Sequence, residues 1–561
     1  MEISRDYRPP YWQTQKAFGA WFWSIFALLA IAIVSVVAMS WISAHPYGTN
    51  YDEANYINRA YQDVLALRQG GPVELVRSLL REDRERPPAY RLLVLPLTLL
   101  FGASPALLRV ISWVSLLGSL GFIFLAARRI AGLTAGAFAV VFLMACPIVV
   151  GPNMRFYVDY TLYLAIAATL YYLLLQWNEA GLSRKGWIGL GLSLGLGGMA
   201  KPTIAFIIGP ILLLTLVLSW RKIIQGPSLG SLWRSFGLAI LVMLPWWGFN
   251  LIPAVNKAFR SGGNINDALG PRGAPETLIK WFYVFAQSIL GPALTVLVLL
   301  ILATFAIQAV RKQLNISFTQ TSALWMCFAG ALPLPLIAMF GVNHNPRLIA
   351  PLLLPLAVAI GIIAVLSRWA GSKWLGAIAT AMICYQLVIM VSPTPGDPRY
   401  QAGDAATTDL NWGNPSNVMQ RTEQWDWSTL YQLCQQKGID TPDIAYLGLA
   451  DTLNPPQINY PWVLAGKSVK VISLWITSDG PIDWDQVMKR ATSRNVVITV
   501  PGGYVGDPYY DRLVGTEQSS NQHNAELAER MAANPDFSGP FDLSLGRFTP
   551  ISVSVFLKNV S

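Results

Sequence analysis

The sequence predicts a mainly α-helical polytopic membrane protein of about eleven spans, followed by a soluble C-terminal α/β domain. Three observations predict this class. Of 561 residues, 53% are hydrophobic and 13% charged, whereas a soluble domain carries about 25% charged residues. Apolar runs approaching the roughly 20 residues that cross a bilayer recur from 18 to 392. Composition then changes abruptly at Ser392-Pro393-Thr394-Pro395-Gly396-Asp397-Pro398, a linker-like stretch.

The candidate spans are 18–43, 105–127, 131–150, 160–177, 187–200, 203–220, 235–252, 281–309, 322–341, 347–367 and 374–392. The first is too long for a signal-peptide core and lacks a clean small-residue cleavage site, so it reads as an uncleaved span. Several of the 21 Trp mark the ends of apolar runs, among them Trp21, Trp41, Trp177, Trp220 and Trp374, as expected at a membrane–water interface. The stretch 88–103 is apolar but short. Read as an interfacial or re-entrant helix, it leaves the tight basic loops on one side, including Arg128 with Arg129, Arg184 with Lys185, and Arg311 with Lys312. The positive-inside rule then places the N-terminus in the cytoplasm and 44–104, 151–159, 201–202, 253–280, 342–346 and the tail outside. A bacterial inner (plasma) membrane is the expected location.

The net charge of +10 does not point to nucleic acid. Residues 393–561 hold 12 Lys/Arg against 18 Asp/Glu, leaving 29 against 13 for the rest of the chain. The positive excess therefore lies in the membrane half, much of it in short loops. Three of the four cysteines, Cys146, Cys327 and Cys384, fall in apolar runs and Cys434 is alone in the tail, so no disulfide framework is indicated.

In the tail, β-rich runs at 443–449, 468–475, 495–500 and 551–557 alternate with helical or loop stretches at 424–437, 482–493 and 523–533. That alternation predicts a mostly parallel sheet. No Walker loop, dinucleotide fingerprint or zinc-ligand spacing is present in it.

Chemistry-bearing residues gather in the segments predicted to face outward. Tyr51-Asp52-Glu53-Ala54-Asn55-Tyr56 follows the first span; its adjacent carboxylates suit a general base or metal ligands, or simply the acidic first turn of a helix. Arg84-Glu85-Arg86-Pro87-Pro88-Ala89-Tyr90-Arg91 sits where a lipid phosphate would lie, though its prolines also punctuate two helices. Arg155 and Asp159 are spaced as an ordinary i,i+4 ion pair. Lys201, between two short apolar segments, is costly near membrane depth and reads as functional unless it snorkels. Arg347 opens a span and offers a guanidinium fork suited to phosphate. His344 reads as a loop histidine; with 3 His in the chain no histidine metal cluster is indicated.

Together these positions resemble the GT-C superfamily of polytopic glycosyltransferases, most nearly the branch (glycosyltransferase family 39-like) of protein O-mannosyltransferases and lipid A aminoarabinose transferases. Asp52-Glu53 resembles the Asp-Glu catalytic motif. Glu85-Arg86-Pro87-Pro88 resembles a Glu-Lys-Pro segment with Arg replacing Lys. Asp159 stands where a second acid is expected, and Lys201 resembles the lysine between two short spans. Arg347 with Pro351 resembles an Arg-Tyr-x-x-Pro element in which Leu348 replaces Tyr.

The resemblance implies a GT-C-like catalytic domain over 1–392, with 44–104 as its first outer loop; the tail shows no family-level match, and its composition and the predicted topology make 393–561 an extracytoplasmic α/β domain. It implies inverting transfer of a monosaccharide from a polyprenyl-phosphate donor in the membrane to a lipid, glycan or protein acceptor. Asp52 and Glu53 are the expected catalytic residues, Lys201, Arg347, Arg155 and Arg86 the donor-phosphate ligands, and Glu85, Asp159, Tyr90 and Tyr56 the groups orienting sugar or acceptor. No cofactor is required; a divalent metal, if held, would fall to Asp52 and Asp159. The rival reading is a transporter or flippase for a lipid-linked or sugar substrate, which repeated halves and charges inside broken spans would favour. The charges gather on one side and no repeat is visible, which favours the enzyme.

Overall fold

A computed structural model describes residues 17–175, 184–221, 228–269, 281–282, 284–340, 346–392, 418, 423–448, 450, 452–474, 482–502, 523–547 and 550–559. Trp177, the 342–345 loop with His344, and the linker at 393–398 lie outside them.

Helix α1 (Ala17–Ala44) is apolar all round, and its 28 residues extend about 42 Å, enough to cross a bilayer. Two amphipathic helices follow. Helix α2 (Tyr51–Arg81) is kinked at Gly71, whose φ of 72° needs glycine, next to Pro72. Helix α3 (Ala89–Phe101) occupies the ambiguous stretch with 13 residues, too few to cross. Helix α4 (Pro105–Ala131) is a full span whose start is capped by Ser104. The run expected as a single span at 131–150 is instead two helices, α5 (Leu133–Met144) and α6 (Pro147–Asn153), bent by 66°. Pro147 cannot donate the backbone bond that would continue α5.

Helices α7 (Asp159–Leu175), α8 (Arg184–Ala200) and α9 (Ile204–Trp220) have 17 residues each. Helix α10 (Leu229–Leu269) runs well beyond both ends of the expected 235–252. The expected 281–309 is broken by a π turn at Phe285–Ile289 and by Gly291 (φ 84°) before α11 (Pro292–Val310). The expected 322–341 divides at Pro333 into α12 (Phe318–Ala331) and α13 (Pro333–Phe340). Two 3₁₀ turns, Pro346–Leu348 and Ala350–Leu352, precede α14 (Leu353–Leu366), and α15 (Lys373–Val391) completes the bundle. Helices thus occupy every expected span. Among the described residues five are long and apolar enough to cross alone, or six with the bent pair, and the protein is a multi-pass membrane protein.

Helices α5 and α14 form the buried centre of the bundle. A Cβ on Gly361 would lie 2.5 Å from the Ala135 carbonyl oxygen, and one on Gly136 would lie 2.6 Å from that of Phe124. Small residues let these backbones meet where lipid supplies no hydrophobic drive between helices. Large exposed side chains such as Leu28, Ile33, Leu241 and Ile252 form the lipid-facing surface.

The C-terminal unit is a five-stranded sheet in the order β2-β1-β3-β5-β4. Strand β1 (Asp443–Tyr446) is parallel to β2 (Lys470–Ser473) and β3 (Val496–Thr499). Strand β5 (Ser552–Lys558) is antiparallel to β3 and to β4 (Phe537–Ser544). The sheet is therefore mixed, not mostly parallel. Strand β4 escapes the sequence pattern because Gly539-Pro540 reads as a turn; an edge strand tolerates that proline. Helices α16 (Ser428–Gln436) and α17 (Pro455–Leu464) cover one face, and α18 (Trp484–Thr492) and α19 (Asn524–Ala532) the other. Helix α17, rich in proline, is the other element the sequence pattern did not reveal. It docks on α2, where Asn58 donates to the Pro456 carbonyl at 2.8 Å.

Candidate active site

The start of α2 is built from its own first residues. Asn50 caps the helix by accepting from the Glu53 N–H at 3.0 Å, and the Glu53 carboxylate accepts from the Thr49 N–H at 2.8 Å. This reciprocal cap fixes the first turn. Adjacent helical residues point about 100° apart, so Asp52 and Glu53 cannot serve one centre as a side-by-side pair.

Glu53 turns inward. It is wholly buried and also accepts from Thr49 Oγ1, from Nε and Nη2 of Arg109 and from the Phe156 N–H, each at 2.8 Å. Burial alone would raise its pKa, but Arg109 and these hydrogen bonds bring it down to about 2. Its expected catalytic role is corrected: sealed from any substrate, it ties α2, α4 and the 154–158 loop together. Arg109 was missed, although an arginine inside an apolar run was the available signal.

Asp52 turns the other way, and its side chain is one-third exposed (33%). Arg347 Nη2 donates to its Oδ2 at 2.7 Å, while Arg347 Nε lies 3.4 Å from Asp159 Oδ2. Lys201 Nζ donates to the other oxygen of Asp159 at 3.0 Å. A row of alternating charge, Asp52–Arg347–Asp159–Lys201, thus joins the start of α2, the turn before α14, the start of α7 and the α8–α9 turn. Burial raises the pKa of Asp52, but the charges of Arg347, Arg86 and Lys201 outweigh it and hold the carboxyl below its usual range. The Arg347 guanidinium also stacks on Tyr157, 4.3 Å from the ring centre, and the Tyr157 hydroxyl accepts from Asn50. Tyr157 too was missed.

Arg86 lies 5.4 Å from the centre of the Tyr56 ring and 3.7 Å from Asp83, close enough for its charge to act on Asp52. Tyr56 packs edge-on to Tyr90 and Tyr157 beside this group. Tyr90 is completely buried, which removes it from contact with a sugar. Glu85 sits at the rim in an ion pair with Lys257 at 2.5 Å.

Two expectations fail for Arg155. Helix α7 begins only at Asp159, so the i,i+4 geometry does not exist and the aspartate pairs elsewhere. Arg155 itself is buried over Trp41, 5.1 Å from its ring centre, outside the charged row. Between Asp52 and Asp159, the carboxylates expected to hold a metal if one is bound, lies the Arg347 guanidinium. No cluster of three His, Cys, Asp or Glu suited to a metal occurs among the described residues.

This architecture is a GT-C-type fold, and it resembles the protein O-mannosyltransferase and aminoarabinose transferase branch. Residues 85–249 match the family described as dolichyl-phosphate-mannose-protein mannosyltransferase. The crystal structure of ArnT from Cupriavidus metallidurans bound to undecaprenyl phosphate is similar with a TM-score of 0.51 at 13% identity, covering 95% of this chain and 98% of that one. The same protein in its apo state gives 0.51 at 14% identity, covering 94% and 97%. No curated protein matches the sequence.

Proposed function

We propose that this protein is an inverting membrane glycosyltransferase that moves a monosaccharide from a polyprenyl-phosphate donor to an acceptor at the extracytoplasmic face. The single observation that carries the reading is the convergence of Asp52, Arg347, Asp159 and Lys201 in one partly open row of charge. The family match and the fold shared with an undecaprenyl-phosphate-bound transferase support it.

The chemistry follows from the charges. As the bond from the anomeric carbon to the phosphate oxygen breaks, negative charge grows on the departing lipid phosphate. Arg347 and Lys201, assisted by Arg86, stabilise it where water is largely excluded. An acceptor hydroxyl or amine attacks the opposite face of the anomeric carbon, which inverts it, and Asp52 takes the acceptor proton as that bond forms. Arg347 is shared. A donor phosphate that draws it away removes the strongest influence lowering the Asp52 pKa, so donor binding makes the carboxylate a better base. Asp159 keeps Lys201 and Arg347 in register.

The test is reconstitution of the purified protein in vesicles with a polyprenyl-phosphate sugar and candidate acceptors. Acceptor-dependent release of free polyprenyl phosphate is the expected result. Movement of the intact lipid-linked sugar between leaflets without bond cleavage would replace this reading with a flippase.

A further inference from the structure

We infer that the C-terminal unit positions the catalytic carboxylate through Gln457 and Gln424; the inference rests on Asp52 being the base. The chain between α1 and α2, residues 45–50, carries Asp52 at its far end, and its carbonyls are held from two directions. From within the membrane domain, Arg109 donates to the carbonyls of His45 and Tyr47. From the C-terminal unit, Gln424 Nε2 donates to the Tyr47 carbonyl and Gln457 Nε2 donates to the Gly48 carbonyl at 2.8 Å.

These amides are built into the seam. Gln424 is fully buried and Gln457 nearly so. Gln457 lies in the first turn of α17, where its own N–H is capped by Asn454 Oδ1 at 3.1 Å, so the donor stands on a rigid element. Further along the same contact Asn58 bonds Pro456, and Tyr61 meets Tyr460 edge-on with ring centres 6.0 Å apart. At Gly48 the approach is close enough that a side chain would push its neighbours aside. A Cβ there would lie 3.0 Å from the Ala54 Cβ and 3.2 Å from Gln457 Nε2.

Gln457 and Gln424 are positioning residues. Removing either glutamine donor loosens the 45–50 segment on the side of the C-terminal unit, lets it shift and carries Asp52 with it, away from the acceptor proton. A displacement of about 1 Å at a reacting group lowers turnover on the order of 100-fold. Neither glutamine contacts Lys201 or Arg347, and Asp159 keeps both cations anchored when Asp52 moves, so donor binding changes much less than turnover.

The test uses the full-length protein in vesicles with Gln457→Leu, Gln424→Leu and the size-preserving Gln457→Glu. Gly48→Ala disturbs the same seam from the membrane side. The expected result is kcat lower by about 10-fold to 100-fold with donor KM within about twofold of the unmodified protein. Hydrogen exchange should also accelerate at the Thr49 and Glu53 amides, with no change in 373–391. Unaltered kcat in a transferring protein, or a rise in donor KM at constant kcat, overturns the inference. So does unaltered exchange at Thr49 and Glu53, whether or not the unmodified protein transfers sugar. Absence of transfer by the unmodified protein overturns the reading of Asp52 as a base and this inference with it.

Discussion

Asp52 and Glu53 are neighbours in sequence and opposites in environment. Glu53 accepts five hydrogen bonds, all at 2.8 Å, and has no exposed surface. Asp52 accepts one among the described residues, from an arginine it shares with Asp159, and a third of its side chain is open. A saturated buried carboxylate has no lone pair left for a substrate, whereas an under-coordinated one beside movable cations does. The comparison separates a group that holds the fold from a group fit for chemistry.

The sharpest way to break this contrast is Asp52→Asn. Removing the base should lower kcat by about 10²-fold to 10⁴-fold, with a thermal midpoint close to that of the unmodified protein. Near-normal sugar transfer would end the assignment. Glu53→Gln should do the reverse. Breaking a buried ion pair costs about 3–5 kcal/mol, so the variant should unfold at markedly lower temperature in detergent or fail to accumulate. A Glu53→Gln protein of normal thermostability would erase the distinction.

Arg347→Lys should raise donor KM by about tenfold, because a point charge cannot reproduce two parallel guanidinium bonds. An unchanged apparent donor affinity would count against the phosphate role.

The smallest effects are in pH dependence. A carboxylate whose folded pKa is depressed contributes stability that is complete above its unfolded value and disappears as pH falls through the folded one. For Glu53 that window runs from about 4.3, the ordinary glutamate value, down to about 2, and acid unfolding followed by fluorescence should show it. Asp52 is likewise depressed, so the acid limb of kcat/KM should lie below the ordinary aspartate range. With Arg347→Gln the largest of the charges that offset burial is removed, and the limb should move to higher pH.

Much of the site was legible because membrane proteins advertise their ionisable residues. Lys201 and Arg347 stood out against apolar surroundings, and both lie in the charged row. Arg109 carried the same signal inside a span and went unread. Arg155 illustrates the opposite limit. Spacing proposed a partner four residues away, but the helix that would bring them together begins only at Asp159, and Arg155 turns onto Trp41. In the tail, Gly539-Pro540 and the three prolines of α17 concealed a strand and a helix whose places are set by edge pairing and by contact with α2.

By itself the sequence determined the solvent of each half of the chain, the helical character of the first and the α/β character of the second, since the cost of exposing peptide groups and charges to lipid is local and additive. It also determined which ionisable residues needed an explanation. Tertiary structure alone decided which cation serves which carboxylate, and that of two adjacent acids one is sealed and the other open. Those choices depend on the approach of α4, α7, the turn before α14 and α17 to one end of α2, and contacts between segments hundreds of residues apart leave no local pattern in the chain.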